Sequence, residues 1–422
     1  MTRWLVDTPA KSKHDLAQRR QQFWKPRAIG DEVWQGRDRD RALRLSWRCN
    51  EYEFAKCLDL PLAGSAKNVR AMISVAVDAV HTALHFPELR VSCSRRNGWW
   101  QETRRYRDPD FTYYNVVPAI DALLEAGILV DYDLQPAGRS TGVQSSYRPA
   151  PWLAEIILPE LRYEVGEVIR LRDAEGRLID YRDNDKTRRD RAMLAKINRS
   201  LAEAAIDLDV PAAVRDANAI RLDGYSVFPG MTSLYRVYKG GWDRGGRFYG
   251  GWWQSCRKTH RQHLTIDGHR TIELDYQQIH PRLLYGIAGR HLEGDAYTIP
   301  GWDRGVVKKA FNTLLNTQDF KEARGAIAKN LGTDRDTAEW LMLDITMRHP
   351  DIKSYFHSGI GMTLQNIDSE ICRQVLVEMY RKGIVALPVH DSFVVAEEHE
   401  DTLSQVMQTT FDAVAKTAKK LF

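Results

Sequence analysis

The chain has 422 residues, 43% of them hydrophobic and 28% charged, with a net charge of +5. That length accommodates two or three domains, and that balance excludes a disordered or collagen-like chain. No apolar run reaches the about 18 residues of a membrane span, and MTRWLVDTPAKSKHD at the start lacks a signal-peptide core, so a cytoplasmic protein without a membrane partner is expected. The five cysteines, Cys49, Cys57, Cys93, Cys256 and Cys372, form no CxxC pair. They read as free thiols, with neither a disulfide framework nor a zinc site.

Residues 1–65 form a basic segment rich in tryptophan and arginine with weak periodicity. Positive charge is concentrated further on, in RRNGWWQETRRYR and in KTRRDRAMLAKINR, which favours an anionic partner over a merely solvated face. Residues 66–160 begin with apolar residues at helical spacing in VRAMISVAVDAVHTALHF. A second helix covers Tyr113 to Ala126 and stops at Gly127, and the strands ILVDYDL and QSSYRPA follow around the turn-rich PAGRSTG. This order resembles a winged helix-turn-helix domain, with Tyr113 to Ala126 as the recognition helix and Ile128 to Tyr147 as the wing. Arg104, Arg105, Arg107, Arg139 and Arg148 would then meet DNA phosphates. A protein-docking role for the same architecture stays open.

Residues 161–235 read as a hairpin about Ala174-Glu175-Gly176 and a basic helix, RRDRAMLAKINRSLAEAAI, suited to a thumb-like connector or a surface linker. Pro211 and the weakly patterned residues to about Gly230 mark a boundary before residues 236–422.

Within that last segment, HRTIELD is an apolar, β-rich approach that delivers Asp275 to a strand end, and HPRLLYGIAG starts a helix with Pro281 in its first turn. A single aspartate binds Mg²⁺ poorly, so a metal site needs a second. GIVALPVHDSFVVAEE places Asp391 at the turn between two apolar strands. On adjacent strands the pair could hold two hard cations about 4 Å apart, the arrangement for phosphoryl transfer. Between them, WDRGVVKKAFNTLLNT offers Asp303 as a helix cap, with Arg304 and Lys308 on one face and Val307, Phe311, Leu314 and Leu315 largely on the other. Taken alone the two cations are a solvated stripe; between two aspartates they become a candidate nucleotide clamp.

DYQQIHPRLL is similar to the first catalytic motif of the family-A polymerase superfamily, the bacterial repair-type DNA polymerases and the single-subunit RNA polymerases of phages and mitochondria. RGVVKKAFNTLLN resembles its fingers helix and PVHDSFVV its second catalytic motif. EARGAIAKNLGTDRDTAEWLMLDITMRHPDIKSYF resembles the helices after the fingers, and LQNIDSEICRQVLVEM the helix that sets a glutamine against the primer terminus. DRGGRFYGG matches the Asp-x-x-Gly-Arg signature of the RNA polymerases at Asp243, Gly246 and Arg247.

The resemblance implies an α+β fold, a right-hand palm and fingers at 236–422, beside the winged helix. It implies Asp275, Asp391 and Lys308 as catalytic residues, with two Mg²⁺ ions, or Mn²⁺, on Asp275, Asp391 and the Tyr276 carbonyl. Arg304 and Lys308 would hold the triphosphate, Lys308 also serving as acid toward pyrophosphate. His280, Asn312 and Asn316 would line the nucleotide, and Arg247, Gln365 and His390 would meet the primer end. Gln365 could equally be a helix-surface residue and His390 a core histidine.

Three positions depart from the DNA polymerases: His280 stands for a glutamate, Asn316 for a tyrosine and Ser392 for an acid. The implied activity is template-directed nucleotidyl transfer from nucleoside triphosphates on DNA, with a primer or nascent RNA. RNA synthesis, as transcription or priming in the replication of a mobile element, is favoured by His280, the Asp243 signature and His390-Asp391-Ser392. Tyr276, Gln278, Ile279 and the Gln365 helix point instead to a family-A-like DNA polymerase. A DNA-binding replication initiator with an inactive palm is the alternative of another class.

Overall fold

The computed structural model describes residues 40–102, 104–133 and 144–418. It is a mixed α+β protein with several sheets. The chain divides into two compact units, the first running to Glu167 and resuming over Ala212–Met231, the second made of Val168–Pro211 and Thr232 onward. The segment 161–235 is therefore shared between the units rather than forming a body of its own. The five cysteines are free thiols. Among the described residues no helix is long and apolar enough to cross a membrane.

The first unit contains strand β1 (Asp40–Ala42), helices α1 (Glu51–Leu58) and α2 (Ala66–His85), strand β2 (Arg90–Cys93), helix α3 (Tyr113–Glu125) and the strands β3 (Leu129–Asp133) and β4 (Ser145–Pro149). Its main sheet has the order β1-β2-β4-β3, parallel between β1 and β2 and antiparallel elsewhere. Ser65 caps α2, and every residue from Ala71 to Ala83 is buried, as expected of a helix that is apolar on nearly all sides. It packs against α3, whose start is held by a reciprocal Thr112–Asn115 capping box. Gly127, at φ 71°, ends α3 in the left-handed conformation that glycine adopts without a Cβ penalty.

The second unit begins with β5 (Ile169–Arg172), α4 (Asp185–Glu203) and β6 (Ile206–Leu208), and continues with β7 (Tyr235–Lys239), β8 (Gly245–Tyr249), β9 (Leu264–Ile266) and β10 (His269–Asp275). Helices α5 (Ile279–Ile287), α6 (Arg304–Asn316), α7 (Phe320–Leu331), α8 (Arg335–Arg348) and α9 (Gly361–Arg381) precede β11 (Leu387–Val389), β12 (Ser392–Ala396) and α10 (Glu400–Ala418). An antiparallel sheet of five strands has the order β11-β12-β10-β9-β6. All of β12 is buried, which is why SFVVA reads as a continuous apolar run rather than an alternation. A second sheet has the order β8-β7-β5. The hairpin expected about Glu175 is short: a bridge joins Arg172 to Leu178, with Asp173 N donating to Arg177 O at 2.9 Å and Ile179 N to Leu171 O at 3.0 Å, and β5 also pairs with β7 in parallel.

Arg236 on β7 is fully buried, and each of its donor atoms is used. Nε donates to Gly246 O at 2.8 Å, Nη1 to Asp190 on α4 at 2.8 Å, and Nη2 to Ser369 Oγ at 3.0 Å and to Glu370 at 2.8 Å, both on α9. Against the upward push of burial, Arg236, Lys186 and Arg373 hold the Glu370 carboxyl far below its usual range.

In the first unit α2 carries His81 and His85 one turn apart, with ring centroids 4.8 Å from each other. His81 stacks on Trp47 at 4.6 Å, and Phe228 lies 4.8 Å and 5.1 Å from the two imidazoles. Among the described residues none of the four ring nitrogens has a hydrogen-bond partner. Burial, helped by His85, Arg41 and Arg44, pushes the His81 imidazole down from 6.5 to about 2, and burial lowers His85 too, although Asp216 opposes it. A histidine held below its unfolded value contributes no penalty at neutral pH and costs stability as pH falls through about 6.5, because the unfolded chain binds the proton first. Each such imidazole should steepen the loss by about 1.4 kcal/mol per pH unit. The urea midpoint of the wild type is therefore expected to drop between pH 7.5 and 5.5, and that of His81→Phe, whose ring suits the aromatic surroundings, to drop distinctly less. Equal slopes in the two proteins would refute the assignment.

Candidate functional site

Two carboxylates meet where the central strands of the five-stranded sheet end. Strand β10 pairs with β12 in a register that closes on Asp275 opposite Ser392. Val389 pairs with Ser392 across β11 and β12, so His390 and Asp391 are the two residues of a tight hairpin loop. One hydrogen bond carries the ladder a step further: Tyr276 N donates to Asp391 O at 3.2 Å. Asp275 and Asp391 thus stand beside each other, and neither side chain has an ion pair or hydrogen bond among the described residues.

Asp275 presents much of its area to solvent, yet the protein on its inner side, then Asp391 and Glu273, raise its carboxyl above the usual value. Lys258 and Lys308 pull the other way. Glu273 is already committed. It accepts from Arg261 Nη2 at 2.9 Å and from Ser392 Oγ at 2.7 Å, and against the push of burial these bonds keep it low. Ser392, singled out as a departure in the second motif, therefore tethers a neighbouring strand.

Backbone strain flanks both carboxylates. Gln278, at φ 55°, starts α5, and its side chain accepts from Ala296 N at 2.6 Å. His390, exposed and at φ 59°, occupies a hairpin position where glycine is the residue of choice. Such conformations cost on the order of 1 kcal/mol or more for residues with a Cβ and collect at functional sites.

Helix α6 is capped by Asp303, whose Oδ1 accepts from Gly305 N and Val306 N at 2.8 and 3.0 Å. Val307, Ala310, Phe311, Leu314 and Leu315 are buried, which leaves Arg304 and Lys308 exposed. Lys308 has no hydrogen-bond or ion-pair partner among the described residues, while Arg304 pairs with Asp295 at 2.7 Å and sits 5.4 Å from the Tyr297 ring centre. Asn312 is half-buried, and its carbonyl accepts from Asn316 Nδ2 at 2.7 Å. Asn316 Oδ1 fills the space a Cβ on Gly361 would need. Asn316, exposed at the end of α6, thus lies against the start of α9.

Arg247 and His280 converge on an acid that the sequence reading passed over. Arg247 on β8 donates to Asp368 Oδ2 at 2.6 Å and Oδ1 at 3.3 Å, and His280 Nε2 lies 2.9 Å from the same Oδ2. Asp368 is 6% exposed. Arg247 keeps its proton more firmly than usual despite burial, because Asp368, and more weakly Asp391, lie near it. Gly246, beside it, sits at φ 88°, and a Cβ there would come within 2.9 Å of Ser369 Oγ. This close approach explains the glycine in DRGGR. Gln365 on α9 is half-buried with no hydrogen bond among the described residues. Tyr276 is buried, its hydroxyl donating to Met407 O at 2.6 Å.

Two unpaired carboxylates beside a strand-end carbonyl are the oxygen donors that a hard divalent ion takes. Among the described residues no group of three or more His, Cys, Asp or Glu side chains could hold a metal by itself. Water and phosphate oxygens would have to complete such a shell.

In the first unit, Arg104 is exposed, Arg105 pairs with Glu167 at 3.4 Å, and Arg148 pairs with Asp131 at 3.4 Å. Arg107 lies 3.9 Å over Trp99. Arg139 lies outside the described residues. Glu273, Lys258, Asp295 and Asp368 are the site residues that sequence reasoning missed. Glu273 and Asp368 lie inside the quoted segments HRTIELD and LQNIDSEICRQVLVEM, and Asp295 a short step before the Arg304 helix, but the motifs assign no role to any of the three.

No family model matches the chain, and no curated protein does. Among solved structures it is similar to the POL domain of Pol1 from M. smegmatis, determined in complex with DNA primer-template and dNTP, with 13% identity and a TM-score of 0.32 over 54% of this chain. The match takes in 48% of that structure, about half of its length.

Proposed function

We propose that the second unit is a template-directed nucleotidyl transferase of the right-hand polymerase type, with the five-stranded sheet as palm and α6 as fingers helix. One observation carries the reading: Asp275 and Asp391 stand unpaired on adjoining strand ends, and the unpaired Lys308 is close enough to act on Asp275. A scaffold without activity gains nothing from keeping two like charges together.

In this reading Asp275, Asp391 and the Tyr276 carbonyl hold Mg²⁺, which supplies Lewis-acid charge stabilisation for phosphoryl transfer. Lys308 and Arg304 bind the polyphosphate, Arg304 exchanging Asp295 for phosphate, and Lys308 delivers a proton to the departing pyrophosphate. The left-handed His390 and the half-buried Gln365 face the primer end. His280 and Asn312 belong to the nucleotide side, and His280 favours ribonucleotides because an imidazole can bond a 2′-hydroxyl where a carboxylate would crowd it.

The first unit is read as a DNA-binding winged helix. Support comes from α3 running into the β3–β4 hairpin, from Tyr114 standing 71% exposed on α3 with its hydroxyl accepting from Asn97 at 3.1 Å, and from the exposed Arg104. Such a pairing of activities suits priming or transcription in the replication of a mobile element.

Asp275→Asn and Asp391→Asn should each lower nucleotide incorporation by about 10³-fold or more. Asp275→Asn should also melt no lower than wild type, since neutralising a carboxyl whose charge the fold disfavours relieves repulsion. Primer extension and thermal melting test both halves; full activity in either variant removes the catalytic assignment.

The double variant Arg104→Glu, Tyr114→Ala of the full chain should bind duplex DNA more weakly at low salt, with a salt-dependence slope smaller by about 1. Unchanged affinity and slope would move the DNA contact to another face.

His280→Glu should shift the ratio of ribo- to deoxynucleotide incorporation efficiency toward deoxynucleotides by about 1 to 3 kcal/mol. A constant ratio would mean that another residue selects the sugar.

A further inference from the structure

Asp368 is a buried carboxylate shared by two groups that reach the site from different elements, His280 from α5 and Arg247 from β8. Both of its oxygens are in use. Oδ1 accepts from Arg247 Nε, and Oδ2 accepts from Arg247 Nη2 and lies 2.9 Å from His280 Nε2. Both oxygens accept from the Arg247 guanidinium in a two-point contact, so the carboxylate faces His280 as an acceptor. A neutral imidazole facing that acceptor carries its proton on Nε2. Nδ1 is then the nitrogen with the lone pair, and it has no partner among the described residues.

We infer that Asp368 is a positioning residue for sugar selection: by fixing the tautomer of His280 it presents Nδ1 as an acceptor to the 2′-hydroxyl of an incoming ribonucleotide. The inference rests on the polymerase reading and adds to it the residue that sets the hydrogen-bonding sense of His280. Asn cannot replace Asp368 in this role. Its amide arm is a donor, and whichever way it turns it opposes a donor, either Arg247 Nε or the Nη2 and Nε2 protons. With the amide turned toward Nε2, the ring adopts the opposite tautomer and Nδ1 ceases to accept.

Asp368→Asn should lower the ribo-to-deoxy ratio of kcat/KM by about tenfold, the worth of one hydrogen bond to a buried hydroxyl. In a His280→Ala background the same substitution should leave the ratio unchanged. A residue acting only by holding the fold together would slow both sugars alike, and that result overturns the inference. So does a shift that persists without His280. Wild-type protein supplies a second test that does not depend on the variant folding. Ring nitrogen NMR shifts of His280, identified by their loss in His280→Ala, should report the Nε2–H tautomer, and the Nδ1–H tautomer overturns the inference. Absence of any product from wild type with either nucleotide set would remove the polymerase reading and this inference together, whereas product with an unshifted ratio in Asp368→Asn removes the inference alone.

Discussion

The second unit is organised around the buried guanidinium of Arg236. A charge taken wholly out of water persists only where its hydrogen bonds are complete, and here α4, β8 and α9 all supply acceptors. Tyr238 from the same strand adds a hydroxyl to Asp190 at 2.7 Å. Because Arg236 Nε reaches Gly246 O and Nη2 reaches Ser369 and Glu370, the arginine sets β8 against α9 at the level where Arg247 meets Asp368. Gly246 belongs to the same constraint, since a side chain there would collide with Ser369 and Arg236. The position of the His280–Asp368–Arg247 group is thus inherited from a charge that takes no part in the candidate chemistry.

A second constraint acts at the sheet's end, where ladder hydrogen bonds hold two like charges together. The β10–β12 register is anchored by buried residues such as Phe393 and Val395, so Asp275 and Asp391 cannot drift apart without breaking it. Their repulsion is tolerated locally, as are the left-handed backbones of Gln278 and His390. Strain and unpaired charge thus collect at one edge of the sheet, in front of a network whose hydrogen bonds are satisfied.

The first unit differs in character. Most of the arginines described there are neutralised within the unit: Arg95 by Asp121, Arg70 by Asp108 and Asp110, Arg90 by Asp131 and Asp133. Its basic composition overstates the charge left open, and Arg104 and the ring of Tyr114 are among the groups that stay exposed. Its core is a long apolar helix against a small sheet, and within it His81 and His85, without hydrogen-bond partners among the described residues, are held below their usual pKa by burial.

Local pattern was enough to locate α2, α3, α6 and the strands that carry Asp275 and Asp391, because apolar spacing, caps and glycine stops act over a few residues. It also nominated the two aspartates, Arg304 and Lys308 as a group. What it could not supply were the partners from distant parts of the chain. Asp368 was invisible because one of the three acids in LQNIDSEICRQVLVEM looks like helix surface until β8 and α5 close over it. Glu273 and Ser392 hold each other across a strand pairing, and Asn316 fills the notch above Gly361, neither of which spacing records. The chain by itself determined which elements form and which charged groups lie at their ends. Tertiary structure alone decided which of those groups are spent on one another and which stay open, because burial and pairing are properties of contacts between segments.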